Sequence, residues 1–345
     1  MTIPRKEQFS GCLIGQCLGD ALGFPVEGYP PSVCGQYINR IFTGIMKSGQ
    51  VEEPGRPPFP FGQYSDDSQL ARELLQSYIV CQRFDPSDYA SRIAALFTEG
   101  RIVGAGEATS EAAWRVARGI PWDKAGTPAP SAGNGSAMRA GPIGLMFFDQ
   151  PQELIRAAHD QSRITHQDRR CSAGAAAIAG AVALALVQRP IDVSRFLVQL
   201  SDWCLAIDPS FADALKGLAG WVSLPPDEAA NRICEASGIA THSANRSCSA
   251  AGISPFVVSS VLFSLYAFLK APSDYQQAIT TAIAAGGDTD TLAAMTGAIS
   301  GAYLGLEGLP SALFPYLTDQ GSWGWAELVE LAHQSYELKM RYRII

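Results

Sequence analysis

Apolar residues recur at intervals of three and four along most of this 345-residue chain, and that spacing most restricts what it can fold into. Two runs show the pattern: Leu70, Leu74, Leu75, Tyr78 and Ile79, and later Leu292, Met295, Ile299 and Tyr303. This spacing predicts amphipathic α-helices. Strand-like alternation, a strand–helix–strand rhythm and a fixed-period repeat are all lacking. We therefore expect an all-α protein that forms one domain, residues 1–345.

Further helices are predicted where alanine-rich or apolar stretches lie between glycine, proline and aspartate. In chain order they are 11–23, the helix opened by Asp85-Pro86-Ser87, 151–163, 171–188, 192–206, 210–222, 226–237, 254–270 with Pro255 in its first turn, 274–285 and 327–341. Residues 48–63 and 119–136 are rich in glycine and proline and are predicted loops. The longest uncharged apolar run, 173–187, is too short to span a bilayer, so we expect a buried helix.

The charge of the chain gives no reason to expect nucleic acid or an anionic membrane as a partner. The net charge is −7, from 33 acidic and 26 basic residues. The eight cysteines include no Cys-x-x-Cys pair, so we expect reduced, mainly buried thiols. Asp20 and Glu27 closely follow the N-terminal apolar stretch, which disfavours a signal peptide. We therefore expect a cytoplasmic protein, and a monomer.

Two short acidic clusters, Ser65-Asp66-Asp67-Ser68 and Asp288-Thr289-Asp290-Thr291, each open a run with helical spacing. An aspartate at a helix start is commonly only a cap, and Ser65 is a natural N-cap. The second cluster is harder to explain in that way, because it carries two carboxylates and follows Gly286-Gly287. We expect the two helix starts to meet in space.

Four carboxylates brought together without a cation would have strongly raised pKa values, and a bound divalent cation removes that cost. Carboxylate and hydroxyl oxygens favour Mg²⁺, Mn²⁺ or Ca²⁺ over zinc. Histidine is too scarce for an imidazole-based site, with four in the chain. His166 alone is singled out, because it stands just before an alanine-rich helix; a hydrogen-bonded structural histidine is the alternative.

The segment Gly133-Asn134-Gly135-Ser136-Ala137-Met138-Arg139 is a compact glycine-rich loop that leads into an apolar stretch. Glycines let backbone N–H groups approach an anion, so a pyrophosphate fits such a loop. The loop lacks the Gly-Lys-Ser/Thr ending of a Walker A motif and follows no strand, which excludes both common nucleotide-binding motifs. A plain turn is the alternative.

Together these segments resemble the ADP-ribosylglycohydrolase family. Five segments carry the resemblance in family order: residues 15–28, Tyr64-Ser65-Asp66-Asp67-Ser68, residues 133–139, Thr165-His166, and Gly286-Gly287-Asp288-Thr289-Asp290-Thr291. The resemblance implies an orthogonal all-α fold and a centre of two ions, Mg²⁺ or Mn²⁺. It also implies cleavage of the C1″ glycosidic bond that joins ADP-ribose to an acceptor.

The resemblance also assigns roles to residues. The implied metal ligands are Ser65, Asp66, Asp67, Asp288, Asp290 and Thr291, with Asp290 as the bridge; the implied catalytic residues are Glu27, Asp67 and Asp290; the implied substrate-binding residues are Gly133, Asn134, Gly135, Ser136, Met138 and His166. Ser65 stands where the family usually has threonine. Serine keeps the oxygen ligand but loses the methyl group that stiffens the side chain.

The implied substrates are ADP-ribosylated proteins or small-molecule conjugates of ADP-ribose. The segment from Gly286 resembles the serine and O-linked branch of the family, so we expect O-linked acceptors, with ADP-ribosyl-arginine as the alternative. A two-metal phosphohydrolase, which would release phosphate, and an inactive ADP-ribose-binding protein are two competing hypotheses. Retention of Glu27 and of the four aspartates argues against the inactive protein.

Overall fold

A computed structural model describes residues 2–48, 50–51, 55–238 and 252–343 of the chain. Its α-helices are α1 Lys6–Gly23, α2 Pro31–Ser48, α3 Asp66–Cys81, α4 Pro86–Thr98, α5 Glu107–Ala117, α6 Trp122–Ala125, α7 Gly141–Phe147, α8 Pro151–Arg163, α9 Arg169–Val187, α10 Val193–Leu205, α11 Pro209–Leu218, α12 Pro226–Ala236, α13 Val257–Lys270, α14 Tyr275–Ala284, α15 Thr289–Leu304 and α16 Trp325–Arg343. Short 3₁₀ turns lie at Phe24–Val26, Leu306–Gly308 and Ser311–Tyr316. In these residues only isolated β-bridges occur, so the all-α prediction is confirmed.

Helices α1 and α15 lie antiparallel with their backbones in contact along a seam of small residues. Gly11, Gly15, Gly19 and Gly23 of α1 face, in that order, Gly301, Gly297, Ala293 and Thr289 of α15. A Cβ atom built on Gly19 would lie 2.0 Å from the carbonyl oxygen of Ala293, and one on Gly15 would lie 2.4 Å from that of Gly297. No side chain fits there, so the seam holds the end of α1 against the start of α15.

Helix α9 occupies the core. By length and composition it is apolar enough to cross a membrane, but 89% of its most apolar window is buried inside the protein. Its alanines and glycines let α7, α8, α10 and α13 pack closely around it. The predicted buried helix is therefore present, and its apolar surface is used against its neighbours.

Most predicted helices begin and end within a few residues of the observed ones. Their starts were predictable because many of these helices have an aspartate as the N-cap. Asp85, Asp168, Asp192, Asp208 and Asp274 each accept hydrogen bonds from the first backbone N–H groups of the helix that follows. Helices α2, α5 and α7 were not predicted, and α6 lies inside a predicted loop.

Two expectations are corrected by the structure. The helix predicted from residue 254 begins at Val257. The residues before it form main-chain hydrogen bonds with other segments instead of with the helix. Cys12, Cys17, Cys34, Cys81, Cys171 and Cys204 are free, as expected, whereas Cys234 is disulfide-bonded. The prediction for Cys248 falls outside the described residues, as do Gly49 and residues 52–54 of the predicted loop 48–63.

We predict that Gly19→Ala lowers the free energy of unfolding by ~3 kcal/mol or more, because the new methyl group overlaps the Ala293 carbonyl in a seam that cannot widen locally. Chemical denaturation of the purified variant measures the loss. Gly35→Ala is the matched control: Gly35 lies inside α2, and its new Cβ would come no closer than 3.9 Å to Ala284. The control should gain up to ~1 kcal/mol from helix propensity. Equal stability of the two variants would contradict a closed seam.

Candidate active site

One cleft of about 520 Å³ collects the residues predicted for the site. Its walls include Glu27, Asp66, Asp67, Gly133, Asn134, Gly135, Met138, His166, Asp288, Asp290 and Thr291. Ser65 and Ser136, which complete the predicted set, are fully buried beside neighbours that line the cleft. The carboxylates, the glycine-rich loop and His166 thus line the same cleft. The structure therefore brings together segments that lie far apart in the chain.

The first acidic cluster begins α3 and is held by a further aspartate that sequence reasoning did not assign. Ser65 is the N-cap, as predicted, and its Oγ accepts from the backbone N–H of Asp67 at 3.3 Å. The fully buried Asp20, on α1, accepts from the N–H groups of Ser65 at 2.9 Å and Ser68 at 3.0 Å. Asp20 thus satisfies helix-end donors that would otherwise attract the side chains of Asp66 and Asp67.

The second acidic cluster begins α15, where the backbone is folded tightly. Gly286 and Gly287 have φ values of 69° and 77°, and a Cβ on Gly287 would lie 2.2 Å from the carbonyl oxygen of Ile253. Asp288 is the N-cap, but its side chain makes no capping bond and instead accepts from Asn134 Nδ2 at 2.5 Å. Capping therefore does not explain the Asp288 carboxylate.

The two clusters contact each other directly. Thr291 Oγ1 donates to Asp67 Oδ2 at 3.4 Å, across 224 positions of sequence. Glu27 completes the group, since one carboxylate oxygen from each of Glu27, Asp288 and Asp290 lies within 4.8 Å of the others. The predicted meeting of the two helix starts is thus observed.

In the absence of a cation, burial and mutual repulsion disfavour the ionised form of these carboxylates. Burial is the main cause that raises the pKa of Asp288 to about 6, and burial with repulsion raises the pKa values of Asp66, Asp67 and Asp290 well above their usual range. The cleft residues described by the structure include no lysine or arginine. Moreover, the buried Asp67 Oδ1 has no hydrogen-bond partner among the described residues. This oxygen-rich donor set fits hard divalent cations.

Glu27 differs from the aspartates because it has a basic partner. Its Oε2 lies 2.5 Å from Nη1 of Arg56, which also donates to the Phe24 carbonyl and stacks on the Phe24 ring at 4.6 Å. The side chains of Glu27 and Arg56 are 35% and 41% exposed, so both reach solvent at the edge of the cleft. Arg56 belongs to the proline-rich loop before α3, a link that residue spacing does not indicate.

Residues 252–257 link the start of α15 to the glycine-rich loop. Ile253 N–H donates to Gly286 O, and Asp288 N–H donates to Ile253 O. Further along, Asn134 N–H donates to Pro255 O, and Val257 N–H donates to Ala132 O. Residues 252–255 of this extended segment also line the cleft and, like Thr109, were not predicted as site residues. These contacts could not be predicted from residue types, because almost every residue has the same backbone N–H and C=O groups.

His166 lies against the glycine-rich loop and is almost fully buried. A Cβ built on Gly133 would lie 3.3 Å from His166 Nε2, and one on Gly135 would lie 2.9 Å from its Cε1. Burial and the nearby Arg139 lower the pKa of His166 to about 3. The imidazole is therefore neutral near physiological pH.

Comparison with known proteins identifies the class to which this fold and cleft belong. The chain matches the ADP-ribosylglycohydrolase family over residues 1–343. It is 29% identical to the ADP-ribosylhydrolase ARH3 of Gallus gallus, over 97% of this chain and 94% of that one. It is 25% identical to the ADP-ribosylarginine hydrolase Tri1 of Pseudomonas putida (strain GB-1), over 88% of this chain and 72% of that one.

A solved structure supports the same assignment. It is described as an ADP-ribosylglycohydrolase-related protein complex, and it is 26% identical to this chain with a TM-score of 0.70. The similarity covers 98% of this chain and 99% of that one. The chain therefore belongs to the ADP-ribosylglycohydrolase family, and it is a glycohydrolase enzyme.

We predict that Mg²⁺ stabilises the protein more at about pH 8 than at about pH 6. The raised carboxylate pKa values mean that the folded state holds protons that the unfolded chain releases above the ordinary aspartate pKa of 3.8. Without a cation, this contribution to stability is present below pH 3.8 and is lost as the pH rises through about 6. A divalent cation needs the deprotonated form, so its stabilising effect grows as the pH rises.

Thermal unfolding with Mg²⁺ and with EDTA, at both pH values, measures this difference. Asp290→Asn is the control that should reduce the Mg²⁺ effect at both. An effect that is equal at the two pH values, or greater at the lower one, would contradict cation binding by these carboxylates.

Proposed function

We propose that this protein is a divalent-cation-dependent hydrolase that cleaves the C1″ glycosidic bond between ADP-ribose and an acceptor and releases ADP-ribose. The observation that carries the proposal is the meeting of two acidic helix starts and Glu27 in one cleft, which a glycine-rich loop also lines. The substrate is an ADP-ribosylated protein or a small-molecule conjugate of ADP-ribose. Cytoplasmic location and a monomeric state remain predictions.

The proposed ligands of two Mg²⁺ or Mn²⁺ ions are Ser65, Asp66, Asp67, Asp288, Asp290 and Thr291. Their supply of hydroxyl and carboxylate oxygens, and the unpartnered Asp67 Oδ1, support the proposal. Bound ions would supply Lewis-acid chemistry at ribose and water oxygens. Asp20 and Asn134 would keep the ligands in place, since Asp20 holds the start of α3 and Asn134 holds the Asp288 carboxylate.

Glu27 is proposed as the general base. Glycoside cleavage develops positive charge at C1″, so an attacking water must lose a proton as the bond to the acceptor breaks. Glu27 suits this step because its carboxylate lies beside Asp288 and Asp290 and yet reaches solvent. Arg56 holds the Glu27 side chain in that position.

The glycine-rich loop is proposed to bind the pyrophosphate. Gly133 and Gly135 line the cleft, and their backbone N–H groups donate to no group in the described part of the chain. They are therefore available to an anion. Because the described cleft residues include no lysine or arginine, backbone dipoles and cations would have to neutralise the substrate.

We favour serine-linked or other O-linked acceptors. The support is the resemblance of the segment from Gly286 to that branch of the family. ADP-ribosyl-arginine is the second candidate, because the similarity to an ADP-ribosylarginine hydrolase extends over 88% of this chain.

A panel of ADP-ribosylated serine, arginine and O-acetyl substrates, read by mass spectrometry, tests this function. We expect release of free ADP-ribose, greatest from the O-linked substrates, and loss of turnover in EDTA that Mg²⁺ or Mn²⁺ restores. Asp290→Asn should abolish turnover while the protein stays folded. The control is Asp213→Asn, which changes an exposed acid outside the cleft and should retain full activity.

Different results would refute different parts of the proposal. Full activity in EDTA would refute metal dependence, and phosphate as the product would indicate a phosphohydrolase. Calorimetric binding of ADP-ribose without turnover of any substrate would indicate an inactive binding protein.

We predict that Glu27→Gln lowers kcat by about 10²- to 10⁴-fold, because glutamine keeps the shape but cannot accept the proton. The affinity for ADP-ribose and the melting temperature should change little, since the Glu27–Arg56 ion pair is partly exposed. Glu99→Gln, in the exposed pair with Arg101, is the matched control and should leave kcat unchanged. Equal kcat values for the two variants would exclude Glu27 as the base.

A further inference from the structure

A buried chain of hydrogen bonds leads to the Nδ1 edge of the His166 ring. Arg139 Nη2 donates to Thr165 Oγ1 at 2.8 Å, and Thr165 Oγ1 lies 2.8 Å from His166 Nδ1. Arg139 and Thr165 have no exposed surface, and His166 is 2% exposed. Arg139 also donates to Gln161 at both the side-chain and main-chain oxygens. These contacts fix the guanidinium, so the position of the Thr165 hydroxyl is fixed as well.

The donors and acceptors in this chain decide which imidazole nitrogen carries the proton. A guanidinium only donates, so Thr165 Oγ1 accepts from Arg139. The hydroxyl hydrogen of Thr165 then needs an acceptor, and among the described residues His166 Nδ1 is the one that its contacts provide. If Nδ1 carried a proton, that buried hydroxyl hydrogen would have no partner among the described residues, which is unfavourable. The proton therefore lies on Nε2.

The protonated nitrogen faces the glycine-rich loop. His166 Nε2 lies 3.3 Å from the position of a Cβ on Gly133 and 3.5 Å from that of a Cβ on Gly135. A side chain at either glycine would cover this nitrogen, so the absence of side chains leaves the N–H open to the cleft.

The charged groups around His166 keep it neutral. Burial and Arg139 both disfavour the imidazolium, and they outweigh Asp168, which favours it. Asp168 is already engaged by Arg170, whose Nη2 lies 2.7 Å from Asp168 Oδ2. Within the described part of the chain, no unpaired carboxylate therefore acts on the imidazole to favour a second proton.

We propose that Arg139 and Thr165 are positioning residues that hold His166 as a neutral imidazole, with its Nε2–H directed into the cleft as a fixed donor to an oxygen of the ADP-ribose pyrophosphate. His166 does not transfer protons during the reaction. The role as a donor to substrate rests on the proposed function, whereas the protonation of Nε2 is a property of the free protein. Fixing one tautomer in advance removes the need to select it when substrate binds.

The first test is NMR of the full-length protein labelled with ¹⁵N at histidine, with the His166 signals assigned by their loss in His166→Gln. We expect the Nε2–H tautomer at His166 from about pH 5 to about pH 8, with no titration in that range. A signal from the Nδ1–H tautomer, or an imidazolium near neutral pH, would overturn the proposal. This result does not depend on turnover, so it stands apart from any failure of the proposed function.

The second test compares Thr165→Val, which removes the hydroxyl, with Thr165→Ser, which keeps it. Thr165→Val should give a mixture of tautomers and weaken ADP-ribose binding in calorimetry by about ten-fold, the effect of losing one well-aligned hydrogen bond. Where turnover is measured, KM should rise and kcat should change little. Thr165→Ser should restore both the tautomer and the affinity.

Two results would overturn the role of Thr165: an unchanged tautomer and affinity in Thr165→Val, or failure of Thr165→Ser to restore them. If the valine variant does not fold, the wild-type spectrum together with Thr165→Ser still decides between the two tautomers. The dependence of kcat/KM on pH gives a further check. Its shape should be the same in His166→Gln as in the wild type, and loss of an ionisation in the variant would indicate that His166 transfers protons.

Discussion

The contact between α1 and α15 is the constraint on which the site depends. Their backbones approach so closely that a methyl group on Gly11, Gly15 or Gly19 would overlap a carbonyl oxygen of the facing helix. Because the two helices are antiparallel, the end of α1 lies beside the start of α15, and Thr289 Oγ1 donates to the Gly23 carbonyl at 2.9 Å. The seam therefore determines which parts of the chain meet at the cleft.

Helix α1 and the residues that follow it position both acidic clusters and Glu27. Asp20, near its end, accepts from the first N–H groups of α3 and so holds Asp66 and Asp67. Glu27 follows four residues after the helix ends, and the Gly28 N–H donates to the Gly287 carbonyl at 2.7 Å. Tight packing of apolar and small residues thus supports an arrangement of like charges that would be unfavourable by itself.

Local signals in the sequence predict much of this structure. Aspartate caps, prolines and apolar spacing locate most helices, and the two acidic clusters together with the glycine-rich loop locate the cleft. Those signals are local because a cap and its N–H partner lie within three residues. Sequence reasoning had no comparable signal for Asp20, Arg56 or residues 252–257, because their partners lie far away in the chain.

The extended segment 252–257 gives the cleft a fixed width. Main-chain hydrogen bonds tie one of its ends to Gly286 and Asp288 and the other to Ala132 and Asn134, and the Asn134 side chain reaches across to Asp288. These hydrogen bonds tie the start of α15 and the glycine-rich loop to one another. A shift of either element would therefore be transmitted to the other, so the spacing between the acidic residues and the loop is a property of the backbone.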